Sequence, residues 1–219
     1  MIKVEMLKVF NLNGAIRGMR NPMNSWEKSD SWWHRNDDYD DWEYMIGSND
    51  LDLMRRLYKA GPEHRKFMRQ IFVSMDITAP LYWWKEMDTY KIGTTANSCS
   101  TMHKIHSKEF TINDFSHDYL ETIQDMDYNT AWQQWIDTIN CLNYFRDKYN
   151  ETKDKRYWRM MIEMLPSSYN QKRTVTMTLE NVCNIYFQRK DHKLDEWKKF
   201  CSILLDDLPI FEHIIKEDN

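Results

Sequence analysis

One apolar stripe in the second half of the chain constrains the fold more than any other feature. In TAWQQWIDTINCLNYFRDKY (130–149), large apolar residues recur every three or four positions: Trp132, Trp135, Ile136, Ile139, Leu142 and Phe145. That spacing places them on one face of a long α-helix. Similar patterns predict helices in KDKRYWRMMIEML, which Pro166 stops, and in LENVCNIYFQRK, DEWKKFCSILLDDL and PIFEHIIKEDN. The C-terminal half is therefore predicted to be mainly helical.

The remaining segments add a few strands. IKVEMLKVF, IFVSMDITAP and KRTVTMT alternate or are rich in β-branched residues, and each predicts a strand. NDLDLMRRLYKAG predicts a short helix with Asp50 as N-cap and Gly61 as its stop, and PEHRKFMRQ predicts another helical turn. The acidic, aromatic SDSWWHRNDDYDDWEY predicts a solvated loop. With no repeat or linker, the prediction is one α+β domain over 1–219, mostly helical with a small antiparallel or mixed sheet.

Composition excludes several classes of function. Lys and Arg number 30 against 34 Asp and Glu, for a net charge of −4, so we expect no nucleic-acid partner bound by bulk charge. Only five glycines are present, and none forms a phosphate-binding or dinucleotide-binding motif. The chain is therefore not expected to be a P-loop or dinucleotide-fold enzyme.

Cysteine spacing and hydropathy bear on the compartment. The four cysteines are far apart and include no C-x-x-C pair, which favours a reduced protein: Cys99, Cys141, Cys183 and Cys201. The N-terminus has no apolar core of a signal peptide, and no stretch approaches 18 uncharged apolar residues. We therefore expect a soluble cytoplasmic protein without a membrane partner.

The stretch DTYKIGTTANSCSTMHKIH (88–106) is unusual because small polar residues follow the bulky APLYWWKEM. It is either a surface linker or a ligand site. His103 and His106 could share a metal, but no third ligand has suitable spacing, so solvated histidines are the simpler interpretation and no metal is predicted. Cys99 beside His103 could form a nucleophile pair, although a free cysteine is more often a small core residue.

Aromatic pairs and one arginine leave further alternatives open. Trp83–Trp84 and Trp132–Trp135 could stack on a base or a flavin, but core packing also explains them. Arg189 and His192 stand three residues apart near the end of an apolar helix. The arginine fork suits a phosphate or the edge of a pyrimidine, whereas a solvated cation at a helix C-terminus is an equally good interpretation.

Taken in order, these segments resemble the flavin-dependent thymidylate synthases over most of the chain. AIRGMRN follows the first strand, as an Arg-containing segment does in the family. His64 and Phe67 form its H-x-x-F, and IFVSMDITAP ends in its Ala-Pro. Downstream, LPSSYNQKRTVTMTLENVCNIYFQRKDHKLDEW is similar to the family's ending, R-x-D-x-H-A-Q-W-E. Its matching positions are Leu165, Pro166, Asn184, Arg189 and Asp191, with His192 and Trp197 within one residue.

The small-residue stretch stands where the family has R-H-R-x-x-S-x-N-x-x-S-x-R, but several positions differ. Thr89-Tyr90-Lys91 replaces R-H-R, and Thr94 replaces the first Ser. The family's Asn and second Ser correspond to Asn97 and Ser100 after a one-residue shift, and its last Arg to Thr101 or Met102. Other cationic or amide positions become Ile162, Thr178 and Glu180.

The resemblance implies a flavin-dependent thymidylate synthase-like fold and a homotetramer whose sites are shared by several subunits. It implies FAD as cofactor, with methylene-tetrahydrofolate and NADPH as co-substrates. The substrate would be a small-molecule nucleotide, dUMP or a similar deoxyuridylate, which receives a one-carbon unit at C5. An enzyme without a nucleophilic cysteine must activate C5 by polarising the ring with positioned donors.

By the same resemblance, the candidate catalytic residues are Arg189 and Ser100. The candidate nucleotide-binding residues are Glu86, Asn97, Ser98, Cys99, Ser100, Thr101 and Arg189. The candidate cofactor-binding residues are His64, Thr89, Tyr90, Lys91, Ile92, Asn184 and His192. Small residues at 93–101 could expose backbone N–H groups as an anion nest without arginine. Two alternatives stay open: a relative that modifies another nucleotide, and a non-catalytic oligomeric nucleotide-binding protein.

Overall fold

The computed structural model of the protein describes residues 2–36, 41–120 and 128–215. The strands in these ranges are β1 (Lys3–Phe10), β2 (Trp32–Asn36), β3 (Asp41–Met45), β4 (Phe72–Pro80), β5 (Thr94–Ser98) and β6 (Asn170–Thr178). The α-helices are α1 (Leu12–Arg20), α2 (Ser48–Lys59), α3 (Leu81–Met87), α4 (Thr101–Lys104), α5 (Tyr128–Thr152), α6 (Lys155–Met164), α7 (Leu179–Arg189), α8 (Asp195–Asp206) and α9 (Pro209–Ile215). The prediction of a mostly helical α+β chain with a small sheet is confirmed.

The strands form two sheets. One has four strands in the order β1-β4-β6-β5, and the other is the antiparallel hairpin of β2 and β3. In β4, Val73, Met75 and Ile77 are buried while the residues between them are half-buried. This period of two is the one expected of a strand that turns one face to the core. The predicted strands β1, β4 and β6 are confirmed.

By its contacts, the chain divides into two compact units. The first unit comprises Met1–Lys3, Ile77–Thr89 and Ala96–Thr174. The second unit comprises Val4–Asp76, Tyr90–Thr95 and Val175–Asn219. The single domain expected from the sequence stays a prediction.

The core of the first unit is built on the predicted stripe of α5. The buried residues of this core are Ile105, Phe110, Phe115, Leu142 and Met161. Trp135, Ile139 and Phe145 of α5 pack against them. Asn143 on α5 holds the Phe110 backbone in both directions. Its Nδ2 donates to Phe110 O at 2.9 Å and its Oδ1 accepts from Phe110 N at 2.8 Å. The backbone of Phe110 is thereby fixed to α5.

The core of the second unit is formed by the C-terminal helices. Trp197, Phe200 and Leu204 on α8 are completely buried, and α8 packs against α7 and α9. Burial of each such apolar side chain stabilises the folded state by about 1.5–3 kcal/mol. The C-terminal helices predicted from periodicity are confirmed as far as Ile215, and residues 216–219 lie outside the described ranges.

The start of α2 corrects one prediction. Its N-cap is Gly47 rather than Asp50. The carboxylate of Asp30 accepts hydrogen bonds from the backbone N–H of Asn49 at 2.9 Å and of Asp50 at 3.1 Å, so a residue from another segment caps the helix. Gly47 permits this approach because a Cβ there would lie 2.2 Å from the Asp30 side chain. The predicted stop at Gly61 is confirmed, with φ +106°.

Other differences concern short elements. In place of the expected acidic loop, the structure has the paired strands β2 and β3. Residues 37–40, which stand between these strands in the sequence, lie outside the described ranges. β5 was not predicted, because TTANS has neither alternation nor large apolar residues. The helical turn predicted in PEHRKFMRQ is a short 3-10 helix over Lys66–Arg69. No helix among the described residues has both the length and the apolar character needed to cross a membrane.

Candidate functional site

The aromatic segment before the small-residue stretch is helix α3, and its two tryptophans belong to the core. Trp83 and Trp84 are at most 1% exposed, and their rings meet edge to face with centroids 4.9 Å apart. Trp84 Nε1 donates to the Gln171 carbonyl at 2.9 Å. Core packing therefore explains this pair, and a ligand has no access to stack on it.

A polar network joins α3 to the small-residue stretch. Arg173 on β6 lies over the Trp84 ring at 4.2 Å, donates to Asp88 at 2.7 Å and to Gln171 Oε1 at 2.9 Å. Gln171 Nε2 in turn donates to the Cys99 carbonyl at 2.8 Å. Both ends of the Gln171 amide are therefore engaged. The backbone at Cys99 is fixed by side chains from a distant strand.

A cavity of about 460 Å³ lies beside this network, within the first unit. Its lining combines lysines, hydroxyl and amide groups with a few rings: Thr78, Cys99, Ser100, Lys104, Ile105, Ser107, Lys108, Phe110, Asn113, Asp114, Tyr169, Asn170, Gln171 and Lys172. We call it the lysine cavity. A cavity of this size and polarity suits a small charged ligand.

The charged groups of the lysine cavity differ in how firmly they are held. Lys108 pairs with Asp114, and this hydrogen bond raises the pKa of the Lys108 ammonium. Asp114 also accepts from Thr111 N at 2.9 Å, so the carboxylate is fixed from two sides. Burial raises the pKa of the Tyr169 phenol, and the Asp114 charge adds to this effect. The phenol therefore stays protonated and can donate a hydrogen bond.

Only some of the residues predicted to bind the nucleotide line the lysine cavity. Cys99 and Ser100 line it, whereas Asn97 and Ser98 are exposed on β5. Two other predicted residues, Glu86 on α3 and Thr101 on α4, are half-buried and do not line it.

The predicted anion nest is largely occupied by the chain itself. Ser100 Oγ caps α4 by accepting from Met102 N at 3.2 Å and His103 N at 3.1 Å, and Cys99 N donates to Lys172 O at 2.9 Å. The cations at this site are instead three lysines that the sequence interpretation missed: Lys104, Lys108 and Lys172. Their spacing carries no signal, because each of these lysines, on α4, in a loop or on β6, looks like ordinary solvated surface in the sequence.

Arg189, the predicted pyrimidine-binding residue, lies in the second unit at the end of α7. Its Nε donates to the Tyr90 hydroxyl at 2.8 Å, and its guanidinium lies 4.9 Å from the ring centroid of buried Trp197. Tyr90 Oη donates to Gln188 Oε1 at 2.9 Å. Tyr90 occupies the middle of the Thr89-Tyr90-Lys91 segment. The arginine is thus oriented by a residue that lies 99 positions earlier in the sequence.

The other residues predicted to bind the cofactor differ in how far their side chains are exposed to solvent. His64, Lys91 and Asn184 are exposed, and Ile92 is 92% exposed. His192 is half-buried beside Trp197, and its Nδ1 accepts from Leu194 N at 3.2 Å. Thr89 belongs to the first unit, where its hydroxyl donates to Glu86 O at 2.7 Å.

Two further positions that the sequence comparison singled out, Thr178 and Glu180, have roles within the second unit. Thr178 caps α7 by accepting from Asn181 N at 3.3 Å. Glu180 pairs with Arg69 at 2.9 Å and with Arg65 at 3.6 Å. The cations next to Glu180 are therefore Arg65 and Arg69, which belong to the segment that follows His64.

The described residues contain no cluster of three or more His, Cys, Asp and Glu that could hold a metal ion. His103 is exposed, and His106 packs edge to face on Tyr149 with centroids 4.8 Å apart. The cysteines are free: Cys99 is exposed, Cys141 is half-buried, and Cys183 and Cys201 are buried.

Comparison with solved structures identifies the architecture. The whole chain superposes on flavin-dependent thymidylate synthase ThyX from Helicobacter pylori. One structure of that enzyme, with FAD and dUMP, gives a TM-score of 0.66 and 16% identity over 99% of this chain and 100% of that one. A second, also complexed with FAD and dUMP, gives 0.66 and 17% over 98% and 100%. This chain has a flavin-dependent thymidylate synthase-like fold. No protein-family model and no curated protein matches its sequence.

The residues of the second unit can be tested for their fit to FAD. A flavin needs an apolar surface for its ring system and cations or donors for its diphosphate. Exposed Ile92 and half-exposed Phe187 supply apolar surface, and exposed Lys91 and Asn184 supply a cation and an amide. The residue types therefore fit the cofactor, with fewer cations than R-H-R would provide.

Proposed function

We propose that this chain is a flavin-dependent thymidylate synthase-like enzyme that transfers a one-carbon unit to C5 of a dUMP-like pyrimidine deoxynucleotide. The observation that carries the proposal is the lysine cavity, which lies beside Ser100 on the stretch where the family signature stands. The fold shared with ThyX supports it. In the proposed homotetramer, several subunits contribute to each site.

The lysine cavity would bind the nucleotide phosphate. Lys104 and Lys172 bring cations to it, and the protonated Tyr169 phenol can donate to a phosphate oxygen. Ser100 contributes through its position at the start of α4, because its hydroxyl also holds two backbone N–H groups of that helix. Phosphate binding in this chain would thus depend on lysine rather than on the arginine of the family signature.

Arg189 would bind the carbonyl edge of the pyrimidine. Tyr90 accepts from its Nε, so the guanidinium plane is oriented before the substrate arrives. A cation at a carbonyl oxygen polarises the ring and lowers the cost of negative charge that develops when C5 reacts. Orientation in advance matters because no reorganisation is then needed during the reaction.

FAD would be bound with the help of Lys91, Ile92, Asn184, His64 and His192. When bound and reduced, the flavin supplies the reducing equivalents for the conversion of a one-carbon unit to a methyl group. Methylene-tetrahydrofolate is the proposed one-carbon donor and NADPH the proposed reductant.

The test is to purify the protein and measure both cofactor and reaction. We expect a visible flavin spectrum, and release of hydrogen from C5 of dUMP when methylene-tetrahydrofolate and NADPH are present. Lys91→Gln should weaken FAD binding about tenfold, as expected for loss of a charge-assisted contact. Lys85→Gln, an exposed lysine at the end of α3, serves as the charge-matched control. A colourless protein that takes up no FAD in a titration and fails to relieve thymidine auxotrophy would overturn the proposal.

Two other functions have a specific observation in their favour. Thr89-Tyr90-Lys91 in place of R-H-R removes cations from the flavin side, which favours a non-catalytic oligomeric nucleotide-binding protein. Such a protein would bind dUMP without taking up FAD. The replacement of the last signature arginine by Thr101 or Met102 favours a relative that modifies another nucleotide. That protein would bind FAD but release no hydrogen from dUMP.

A further inference from the structure

A second cavity, of about 210 Å³, lies entirely within the second unit. It is lined by α1, by the segment that follows α1, and by β3. Arg17 and Arg20 both line it and stand three residues apart on α1, a spacing that places them on the same helix face. Trp26 and Tyr44 provide its aromatic walls. We call it the arginine cavity.

Arg20 is buried, with only 4% of its side chain exposed, and it is held rigidly. Its Nε donates to Asp50 Oδ1 at 2.6 Å, and its Nη1 donates to Ser25 O at 3.2 Å. Its Nη2 is also buried but has no hydrogen-bond partner among the described residues. A buried donor without an acceptor costs free energy, so native structures rarely leave one unsatisfied. The missing partner is the observation that points to a ligand.

The nearby carboxylate does not supply that partner. Asp50 Oδ2 already accepts from Ser29 Oγ at 2.7 Å, from Ser31 Oγ at 2.6 Å, and from Asp30 N and Ser31 N at 3.2 Å each. Burial alone would raise the pKa of the Asp50 carboxyl, but the hydrogen bonds from Ser31, Ser29 and Arg20 outweigh it and lower the pKa. Asp50 therefore stays ionised and balances the charge of Arg20, with both oxygens engaged.

Arg17 leaves one positive charge for a ligand. It is exposed on α1, and no carboxylate of the described residues pairs with it. Its five N–H donors form a planar fork that matches the oxygens of a phosphoryl group. A phosphoryl group offers three terminal oxygens to the two guanidinium groups, whereas a carboxylate offers two.

We propose that the arginine cavity binds a phosphoryl group through Arg17 and Arg20, with Trp26 and Tyr44 against the remainder of the ligand. This site does not depend on the proposed one-carbon transfer. Tyr44 belongs to the β2–β3 hairpin, within the acidic, aromatic segment that the family resemblance does not cover.

The test is a calorimetric titration with inorganic phosphate, and with acetate in parallel, at low ionic strength. Every protein used carries both Lys104→Gln and Lys172→Gln, because these two lysines could bind phosphate in the lysine cavity. Adding Arg17→Gln should weaken phosphate binding about tenfold, the effect of losing a charge-assisted contact. Arg56→Gln makes the same change of charge at an exposed position of α2, where Arg56 pairs with neighbouring Asp52, and should change binding less than twofold.

Three results would overturn the proposal. One is the absence of saturable phosphate binding. Another is an equal loss in the Arg17→Gln and Arg56→Gln proteins, which would mean attraction by bulk charge. The third is acetate binding at least as tightly as phosphate, which would assign the cavity to a carboxylate. Because Arg17 is exposed, its substitution should leave the fold intact, and circular dichroism checks this for both variants.

Discussion

The cations of the lysine cavity and two arginines of the second unit are held in contrasting ways. In the second unit, Arg20 is 4% exposed and tied to Asp50, and Arg189 is oriented by Tyr90 and packed on Trp197. In the first unit, the lysine cavity presents Lys104 and Lys108 on long exposed side chains, and Lys108 is 68% exposed. A desolvated arginine fork has few alternative partners, whereas an exposed ammonium exchanges readily with water and salt. The difference predicts large, salt-resistant effects at these two arginines and small, salt-sensitive effects at the lysine cavity.

The largest effect is expected at the buried pair. Asp50→Ala leaves the Arg20 charge desolvated and unpaired, which should lower the free energy of unfolding by about 3–5 kcal/mol. Urea unfolding followed by circular dichroism measures it. Salt should not restore the loss, because the pair is shielded from solvent.

Asp52→Ala is the matched control on the same helix. Asp52 is 64% exposed and pairs with Arg56 at 2.8 Å across one turn. Exposed pairs of this kind contribute about 0.3–0.5 kcal/mol. Equal losses in the two variants would contradict the view that burial makes Arg20 different from a surface arginine.

The next effect concerns Arg189 and the nucleotide. Arg189→Ala should weaken dUMP binding by about 1.5–3 kcal/mol if the guanidinium makes a charge-assisted contact with the pyrimidine. Calorimetry with dUMP measures it. Arg159→Ala, on the exposed surface of α6 with Glu163 as its partner, controls for net charge. Unchanged dUMP affinity in the Arg189 variant would remove this residue from the nucleotide site.

Tyr90→Phe tests whether the phenol orients Arg189. The substitution keeps the ring near Trp197, at 6.2 Å between centroids, but removes the acceptor of Arg189 Nε and the donor to Gln188. We expect dUMP binding to weaken by about 0.5–1.5 kcal/mol, the usual worth of one hydrogen bond. The exposed Tyr144→Phe is its control.

A double-mutant cycle separates orientation from general destabilisation. If Tyr90 acts through Arg189, Tyr90→Phe should have little further effect on dUMP binding in the Arg189→Ala protein. Additive losses would show that the phenol acts on binding by another route.

The helices and the long strands could be predicted from sequence because each turns one face to a core. The α5 stripe is an example, since Leu142 and its apolar neighbours are the residues that pack in the first unit. The β2–β3 hairpin and β5 were missed for the opposite reason. Their residues are largely exposed, so no alternation separates an inner face from an outer one.

The sites were predictable only in part, because their partners are distant in sequence. Arg189 stood out through its helix, but its acceptor Tyr90 is 99 residues away. Asp50 is a residue type that is common at N-caps. Its actual role is to pair with buried Arg20, which lies 30 residues earlier in the sequence. The lysines of the first cavity gave no signal at all, because a lysine that lines a cavity and one that is solvated look alike in a single sequence.

The smallest effect, at Lys104, tests the other side of the contrast. Lys104→Gln removes one exposed cation from the lysine cavity, and dUMP affinity should fall by at most about 1 kcal/mol at low salt. At 1 M salt the screening length is only about 3 Å, so the wild-type protein and the variant should bind dUMP alike. Lys85→Gln should show no loss at either salt concentration. If the Lys104→Gln deficit instead persists at 1 M salt, the ammonium must be desolvated when the nucleotide binds. The lysine cavity would then close around its ligand and hold a cation as firmly as Asp50 holds Arg20.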